Sequence, residues 1–321
     1  MVEVLPDLPQ GAGVGFIRLR SLGDTLLLTP AAAALKSWRP DVCLAILVEP
    51  RFAAVVARNP DFDAIIEAPA TLAGRVQALR ELRRFHPALV AGLHGGSTAA
   101  WLARFSGAPQ RATFAGLRHA WAYNLLTPPE APPSGRVRLH TVEHVLSLLT
   151  SLGLPPVAPG PLKLVLRPEA RARVRKHLTQ RGVTGGYAFL GTEAREPDMR
   201  WPLDCFGRLA AWLRDTYGLA SVQASATAGE PVPGATLLSG TSVEELMALE
   251  AEADLVITND GGPVHIAAAL GKPLVVLYSI TDVDVWHPWQ APARWLQRTP
   301  LSALTVDEVT VEVAALAPTR L

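Results

Sequence analysis

Cysteine and lysine are both scarce in this chain. Its 321 residues include two cysteines, Cys43 and Cys205, each in an apolar stretch. Two are too few for a disulfide framework and read as core thiols of a reducing compartment. Lysine occurs only at positions 36, 163, 176 and 272, so nearly all 30 basic residues are arginine. Together with the many alanines, this reads as codon bias rather than function. The formal net charge is +1, so no global field recruits nucleic acid. No apolar run reaches the roughly 20 residues needed to span a bilayer. The first ten residues carry acids and prolines with no basic start, and no signal peptide is expected. A cytoplasmic protein is therefore expected, with peripheral attachment to the inner face of the cytoplasmic membrane left open.

Several motifs are also missing. No Walker loop and no Gly-x-Ser-x-Gly elbow occurs. The first strand leads into Ser-Leu-Gly-Asp, not a Gly-x-Gly-x-x-Gly fingerprint, which argues against a nicotinamide dehydrogenase. The eight histidines are scattered, none at ligand spacing with cysteine or carboxylate, so no metal site is expected.

What is present is clearest at residues 255–271, LVITNDGGPVHIAAALG. Four apolar or β-branched residues form a short buried strand. The chain turns at Asn259-Asp260-Gly261-Gly262, and Pro263 suits the first turn of a helix. Gly271 and Pro273 end that helix. A strand that runs through Gly-Gly into a helix aims free backbone N–H groups beyond the sheet, an arrangement that binds phosphate.

Hydrophobic residues make up 49% of the chain, enough for two α/β cores. Strand patterns cover residues 14–19, 42–48, 64–67, 88–93 and 111–114. Helical patterns cover 25–38 (with Pro30 as a kink), 50–58, 72–85, 97–105 and 140–152. Residues 123–135 read as loop and 155–161 as a Pro-rich linker. Alternation resumes with strands near 187–190, 220–224, 236–238 and 274–278, helices at 168–181, 202–217 and 243–253, and a last helix at 306–316. The expected architecture is α/β with two Rossmann-like domains facing across a cleft. They span residues 1–154 and 162–289, and the tail 290–321 is expected to join the first.

In parallel sheets, ligands bind beyond the carboxyl ends of strands. Asp24 follows the first strand and reads either as a general base or as an N-cap for a helix starting at Thr25. Ser21, Gly23 and His94 lie at the same edge. In the second half, Asp260, Gly261, Gly262, Pro263 and His265 form one group. His265 reads as a phosphate or sugar donor, or as a buried helix histidine. The 191–202 loop offers Thr192, Arg195 and Arg200 as anion contacts, or is a surface loop pinned by Trp201. Trp286-His287-Pro288-Trp289 reads as a wall for a sugar or base, or as packing of the tail. Arg75, Arg80, Arg83, Arg84 and Arg118 could meet an anionic acceptor or lipid headgroups, and solvated helix faces explain them equally.

Taken together, these stretches resemble glycosyltransferase family 9, the ADP-heptose:lipopolysaccharide heptosyltransferases. At the front, residues 17–24 with Thr29-Pro30-Ala31 resemble the family's R-x-x-x-L-G-D…T-P-A signature. Residues 47–52, Asn59-Pro60, Arg200-Trp201-Pro202, residues 239–242 and 259–265, and Thr281-Asp282 with Pro288-Trp289 continue it. The resemblance implies the two-domain GT-B fold, with the first domain holding the acceptor and the second the nucleotide sugar. It implies no cofactor beyond an ADP-heptose donor, no metal, and inverting transfer of heptose to a lipid-linked lipopolysaccharide core or related surface glycan. Asp24 is then the base on the acceptor hydroxyl. The 260–265 turn holds the diphosphate, with Asp260 nearest the sugar. The chain departs from the family pattern at Met199, where a lysine is usual, at Gly261, usually Thr or Ser, and at Ser279-Ile280, where a glycine-containing turn is common. An acid near the end of the 220–224 strand often meets the ribose, and Glu230 is the nearby candidate.

Overall fold

The computed structural model describes residues 3–128, 132 and 137–316. It divides into two compact units, Met1–Val165 and Leu166–Leu321. The first unit contains β1 (Gly13–Ile17), α1 (Leu22–Leu27), α2 (Thr29–Trp38), β2 (Cys43–Val48), α3 (Pro50–Ala53) and β3 (Ala64–Glu67). It continues with α4 (Leu72–Arg84), β4 (Pro87–Gly92), α5 (Ser97–Phe105), β5 (Gln110–Phe114), β6 (Leu125–Thr127) and α6 (Thr141–Ser151). The second contains α7 (Pro168–Gln180), β7 (Tyr187–Gly191), α8 (Leu203–Tyr217), β8 (Ala220–Ser225), β9 (Thr236–Ser239) and α9 (Val243–Glu252). It closes with β10 (Leu255–Asn259), α10 (Gly262–Ala269), β11 (Leu274–Tyr278), α11 (Val283–Trp286), β12 (Ala293–Gln297) and α12 (Val306–Leu316).

Each unit is built on a six-stranded sheet, ordered β3-β2-β1-β4-β5-β6 in the first and β12-β11-β10-β7-β8-β9 in the second. Every strand pair is parallel. Renumbered from its own first strand, the second sheet has the same doubly wound order as the first. Strand order reverses between β1 and β4 in one unit and between β7 and β10 in the other, and such switch points are where these sheets take ligands. The central strands are buried along their whole length, as GVGFI of β1 and LVITN of β10 show. Helices on both faces leave them no wet side.

Local chemistry explains most of the helix ends. Ser242 and Glu245 form a capping box at α9, and Thr305 with Glu308 forms another at α12. Gly218 ends α8 in the left-handed region, φ 68°, which costs glycine little. The expected helix 25–38 is instead two helices. The first begins three residues earlier, and Pro30 opens the second rather than kinking one long helix.

Four other expectations are corrected. The start of the expected second domain belongs to the first unit: the Lys163 N–H donates to Thr29 Oγ1 at 3.0 Å, and its ammonium pairs with Asp61 at 2.6 Å. The tail belongs to the second unit, where β12 extends the sheet beside β11 and α12 packs on α8, although residues 317–321 lie outside the described ones. The loop 123–135 contains the edge strand β6, while positions 129–131 and 133–135 of it are not among the described residues. Cys43 is exposed at the start of β2 rather than in the core, and both cysteines are free thiols.

Glu250 of α9 is fully buried, and neither carboxyl oxygen carries a good hydrogen bond among the described residues. Burial pushes its carboxyl well above the usual range, against an opposing pull from the Ala267 backbone. With the folded value above the unfolded one, the unfolded chain releases this proton first. Stability from this site is therefore greatest below about pH 4, the unfolded glutamate value, and is lost as pH rises toward the folded value. Glu250→Gln is expected to raise the melting temperature at pH 8, with the gain shrinking as pH is lowered toward 5. Thermal scans across that range check it, and a gain independent of pH would trace the effect to packing instead.

Candidate active site

In the second unit the switch point is formed by the loops after β7 and β10. Asp260 and Gly261 leave the sheet, and α10 starts at Gly262 with Pro263 in its first turn. The first N–H groups of a helix have no partner within it. Among the described residues, neither the Gly261 nor the Gly262 N–H donates to a protein acceptor. Gly261 has extended backbone, φ 169°. A Cβ there would meet Pro263 Cδ at 3.6 Å and the Glu193 carbonyl at 3.9 Å, ordinary contacts. Glycine at 261 thus removes a side chain that the backbone has room for. At Gly191 a Cβ would fall 2.1 Å from Thr258 Oγ1, so the close approach of β7 and β10 requires glycine there.

Asn259, at the very end of β10, holds the two loops together. It is fully buried. Its amide nitrogen donates to the Thr192 carbonyl at 2.7 Å, and its amide oxygen accepts from the Trp201 N–H at 3.2 Å. Thr192 Oγ1 accepts from Gln223 at 2.9 Å, and Ser225 at the end of β8 donates to Glu193 at 2.6 Å. Glu193 therefore sits beside β8, whereas Glu230 is exposed and offers Gln223 only its carbonyl. Trp201 is buried, donating through its indole to the Leu304 carbonyl at 2.9 Å. It anchors the 191–202 loop from beneath.

Asp260 is half-buried and accepts a short hydrogen bond from the Thr281 hydroxyl. Burial pushes its carboxyl up, opposed by Thr281 and by the charge of Arg195. His265 is 5% exposed, on the first turn of α10, with its ring 6.5 Å from that of Trp286. The Trp286–Trp289 group divides: Trp286 adjoins His265, while Trp289 lies with His287, itself next to Trp295 of β12. Arg195 is exposed, 3.6 Å from Glu196. Arg200 is exposed and donates to the Ala194 carbonyl at 3.0 and 3.2 Å. Met199, where the resemblance leads one to expect lysine, is turned inward and buried.

In the first unit the matching switch point lies beyond β1 and β4. Ser21, not Asp24, is the N-cap of α1, which corrects the capping role expected for Asp24. Asp24 is the third residue of the helix. Its Oδ2 accepts from the Ser21 N–H at 3.0 Å and from the Ser21 hydroxyl at 3.1 Å. Its Oδ1 pairs with the Arg18 guanidinium, whose other end donates to the Leu93 carbonyl after β4. Arg18 thereby ties the two strand ends together and fixes the carboxylate. Gly23 is buried within α1. His94 lies at the same edge, against the backbone of Gly96. Burial holds its imidazole below the usual value, helped by Arg18 and opposed by Asp24. His144 of α6 stacks on Phe114 at 3.9 Å and is lowered by burial and by Arg18.

Beside this group, the buried Glu49 carboxylate receives Arg20 at 3.1 Å and Arg51 and Arg75 at 3.0 Å. Burial alone would raise its pKa, but the hydrogen bonds from Arg20, Arg75 and Arg51 outweigh that and hold it below the usual range. Arg75 is thus inside the unit, not on the wet side of α4. The sequence reading picked out neither the Glu49 cluster nor the bridging roles of Arg18 and Asn259. Arg18, Glu49 and Asn259 all stand inside stretches that carry the family resemblance, yet nothing local marks the distant partners that each of them holds. Among the described residues, no group of three or more histidine, cysteine, aspartate or glutamate side chains could hold a metal.

Two parallel, doubly wound sheets joined in one chain, each with a ligand-type edge at its switch point, define the GT-B class of fold. The profile described as "Glycosyltransferase family 9 (heptosyltransferase)" matches residues 75–304, more than half of the chain, so this chain belongs to glycosyltransferase family 9 and is a glycosyltransferase. Lipopolysaccharide heptosyltransferase 3 of Escherichia coli is 27% identical over 292 residues, covering 84% of each chain. Among solved structures, the glycosyl transferase family 9 protein of Veillonella parvula matches at TM-score 0.84 and 20% identity over 98% of both chains. E. coli ADP-heptose lps heptosyltransferase II matches at TM-score 0.79 and 21% identity, over 95% of this chain and 98% of that one. At such identities the structural likenesses speak for the fold.

Asn259→Ala would strip two buried loop groups of their partner. It is expected to lower stability by about 1–3 kcal/mol in denaturant titrations. Unchanged stability would remove Asn259 from this role.

Proposed function

We propose that this chain is an inverting, metal-independent transferase that moves heptose from ADP-heptose to a lipopolysaccharide core or related surface glycan. The observation that carries the reading is the pair of unengaged N–H groups at Gly261 and Gly262, at the head of α10 in the second unit. Backbone donors and the positive end of the helix suit a diphosphate and stabilise the charge it gains on leaving. With Arg195 and Arg200 nearby, they supply positive potential without a divalent cation. Thr192 and His265 complete the proposed donor set, and Asp260 is assigned to a sugar hydroxyl.

Inversion needs a base on the acceptor side of an oxocarbenium-like state. Asp24 is assigned that role. Arg18 and Ser21 occupy part of its acceptor capacity, and a carboxylate has about four lone-pair sites, so one remains for the acceptor proton. Ser21, Gly23 and His94 form the acceptor edge. The acceptor is taken to be lipid-linked, at the inner face of the cytoplasmic membrane, with the enzyme in the cytoplasm.

A second reading has a specific observation in its favour: with Met199 buried, the cation usual at that position is missing. A family member using another nucleotide sugar, or a non-catalytic glycan or nucleotide binder, would fit that. Calorimetry with ADP-heptose, ADP and UDP-sugars separates these, with ADP compounds expected to bind and a uridine preference overturning the donor. Asp24→Ala is expected to cut turnover by about 10²–10⁴-fold while sparing ADP affinity, and turnover is expected to survive EDTA. Turnover unaffected by the substitution would remove Asp24 from the mechanism. Gly261→Ser, which the backbone accommodates, is expected to tighten ADP binding by restoring one hydroxyl donor, again read by calorimetry.

A further inference from the structure

Helix α5 divides cleanly into two faces. Ala99, Ala100, Leu102 and Ala103 are buried. Trp101, Arg104 and Phe105 share the outer face, at the i, i+3, i+4 spacing that brings side chains together. Trp101 and Phe105 stack with centroids 4.9 Å and planes 8° apart, and Trp121, from the turn Ala120–Ala122, meets Trp101 edge-on at 5.5 Å. The Arg104 guanidinium lies 5.7 Å over the Phe105 ring. Arg83 of α4 donates to the Phe105 carbonyl at 2.7 Å.

These rings are not core. Trp101 and Trp121 are 52% and 57% exposed, although burying aromatic rings is among the largest gains open to a fold. A contiguous aromatic patch left wet marks a contact surface. The charge around it indicates the kind of partner. Residues 82–129, which build β4 to β6 and α5, contain five arginines and no aspartate or glutamate. Arg83, Arg104 and Arg118 are exposed. Exposed indole rings in a segment whose charged residues are all arginines match a bilayer interface, where tryptophan sits at headgroup level and arginine meets anionic lipid.

We propose that the outer face of α5 and the Ala120–Ala122 turn seat the first unit on an anionic lipid surface. Trp101 and Trp121 enter the headgroup layer, and Arg83, Arg104 and Arg118 pair with lipid phosphates. The purpose of this contact rests on the membrane-borne acceptor proposed above; its physics does not. The full chain, without donor or acceptor, is mixed with phosphatidylcholine vesicles with and without phosphatidylglycerol and sedimented. Binding is expected only with phosphatidylglycerol, weakening with salt and shifting tryptophan emission to the blue. Arg104→Gln is expected to weaken binding about fivefold. Trp101→Ser with Trp121→Ser is expected to abolish the emission shift while leaving circular dichroism and turnover on a deacylated acceptor unchanged. Failure to sediment at low salt, or binding indifferent to both variants, overturns the proposal. A concentration-dependent dimer dissolved by the tryptophan variants overturns it too, in favour of a second copy as occupant. Vesicle binding by a chain that turns over no soluble acceptor upholds it and tells against the transfer reading alone.

Discussion

The structure depends on one backbone constraint, that the first amides of a helix cannot be satisfied from within it. At α10 those amides belong to Gly261 and Gly262, at the head of an eight-residue helix whose body is buried. A buried helix with an unsatisfied head is stable only where its head meets water or a ligand. The parallel sheet supplies that place, because strand order reverses between β10 and β7, and such switch points are where these sheets take ligands. The fold and the proposed anion site thus follow from the same geometry.

Holding that edge in shape falls to side chains that touch no substrate in the proposed reaction. Asn259 fastens the loops after β7 and β10 from below, and Trp201 anchors the longer loop to Leu304. Arg18 plays the equivalent part in the first unit, joining the ends of β1 and β4 through Asp24 and the Leu93 carbonyl. Charged and amide groups do this well because each satisfies two partners at once, and a buried polar group with only one would be costly. Glu49 is a larger case: one buried carboxylate orders three guanidiniums. That cluster carries two cations in excess of its own charge.

Much of this was legible in the chain. Alternating strand and helix patterns specified two parallel α/β units, because period and turn chemistry are local properties. Residues 259–265 and 18–24 were legible for the same reason: a glycine turn leading into a Pro-started helix, and a short strand followed by Ser-Leu-Gly-Asp. The edge strands β6 and β12 were not. Three residues beside prolines, and ARWLQ with most of its side chains half or fully exposed, carry no period strong enough to read.

Most strands and helices, the polar residues at the strand ends and the family could be read from the chain alone, since period, turn chemistry and motif order need no coordinates. Coordinates were needed to see that Met199 turns inward, that Arg75 leaves solvent for Glu49, and that the tail packs on α8. Each of those depends on a partner distant in the chain or on competition for space. Neither can be expressed in a local pattern.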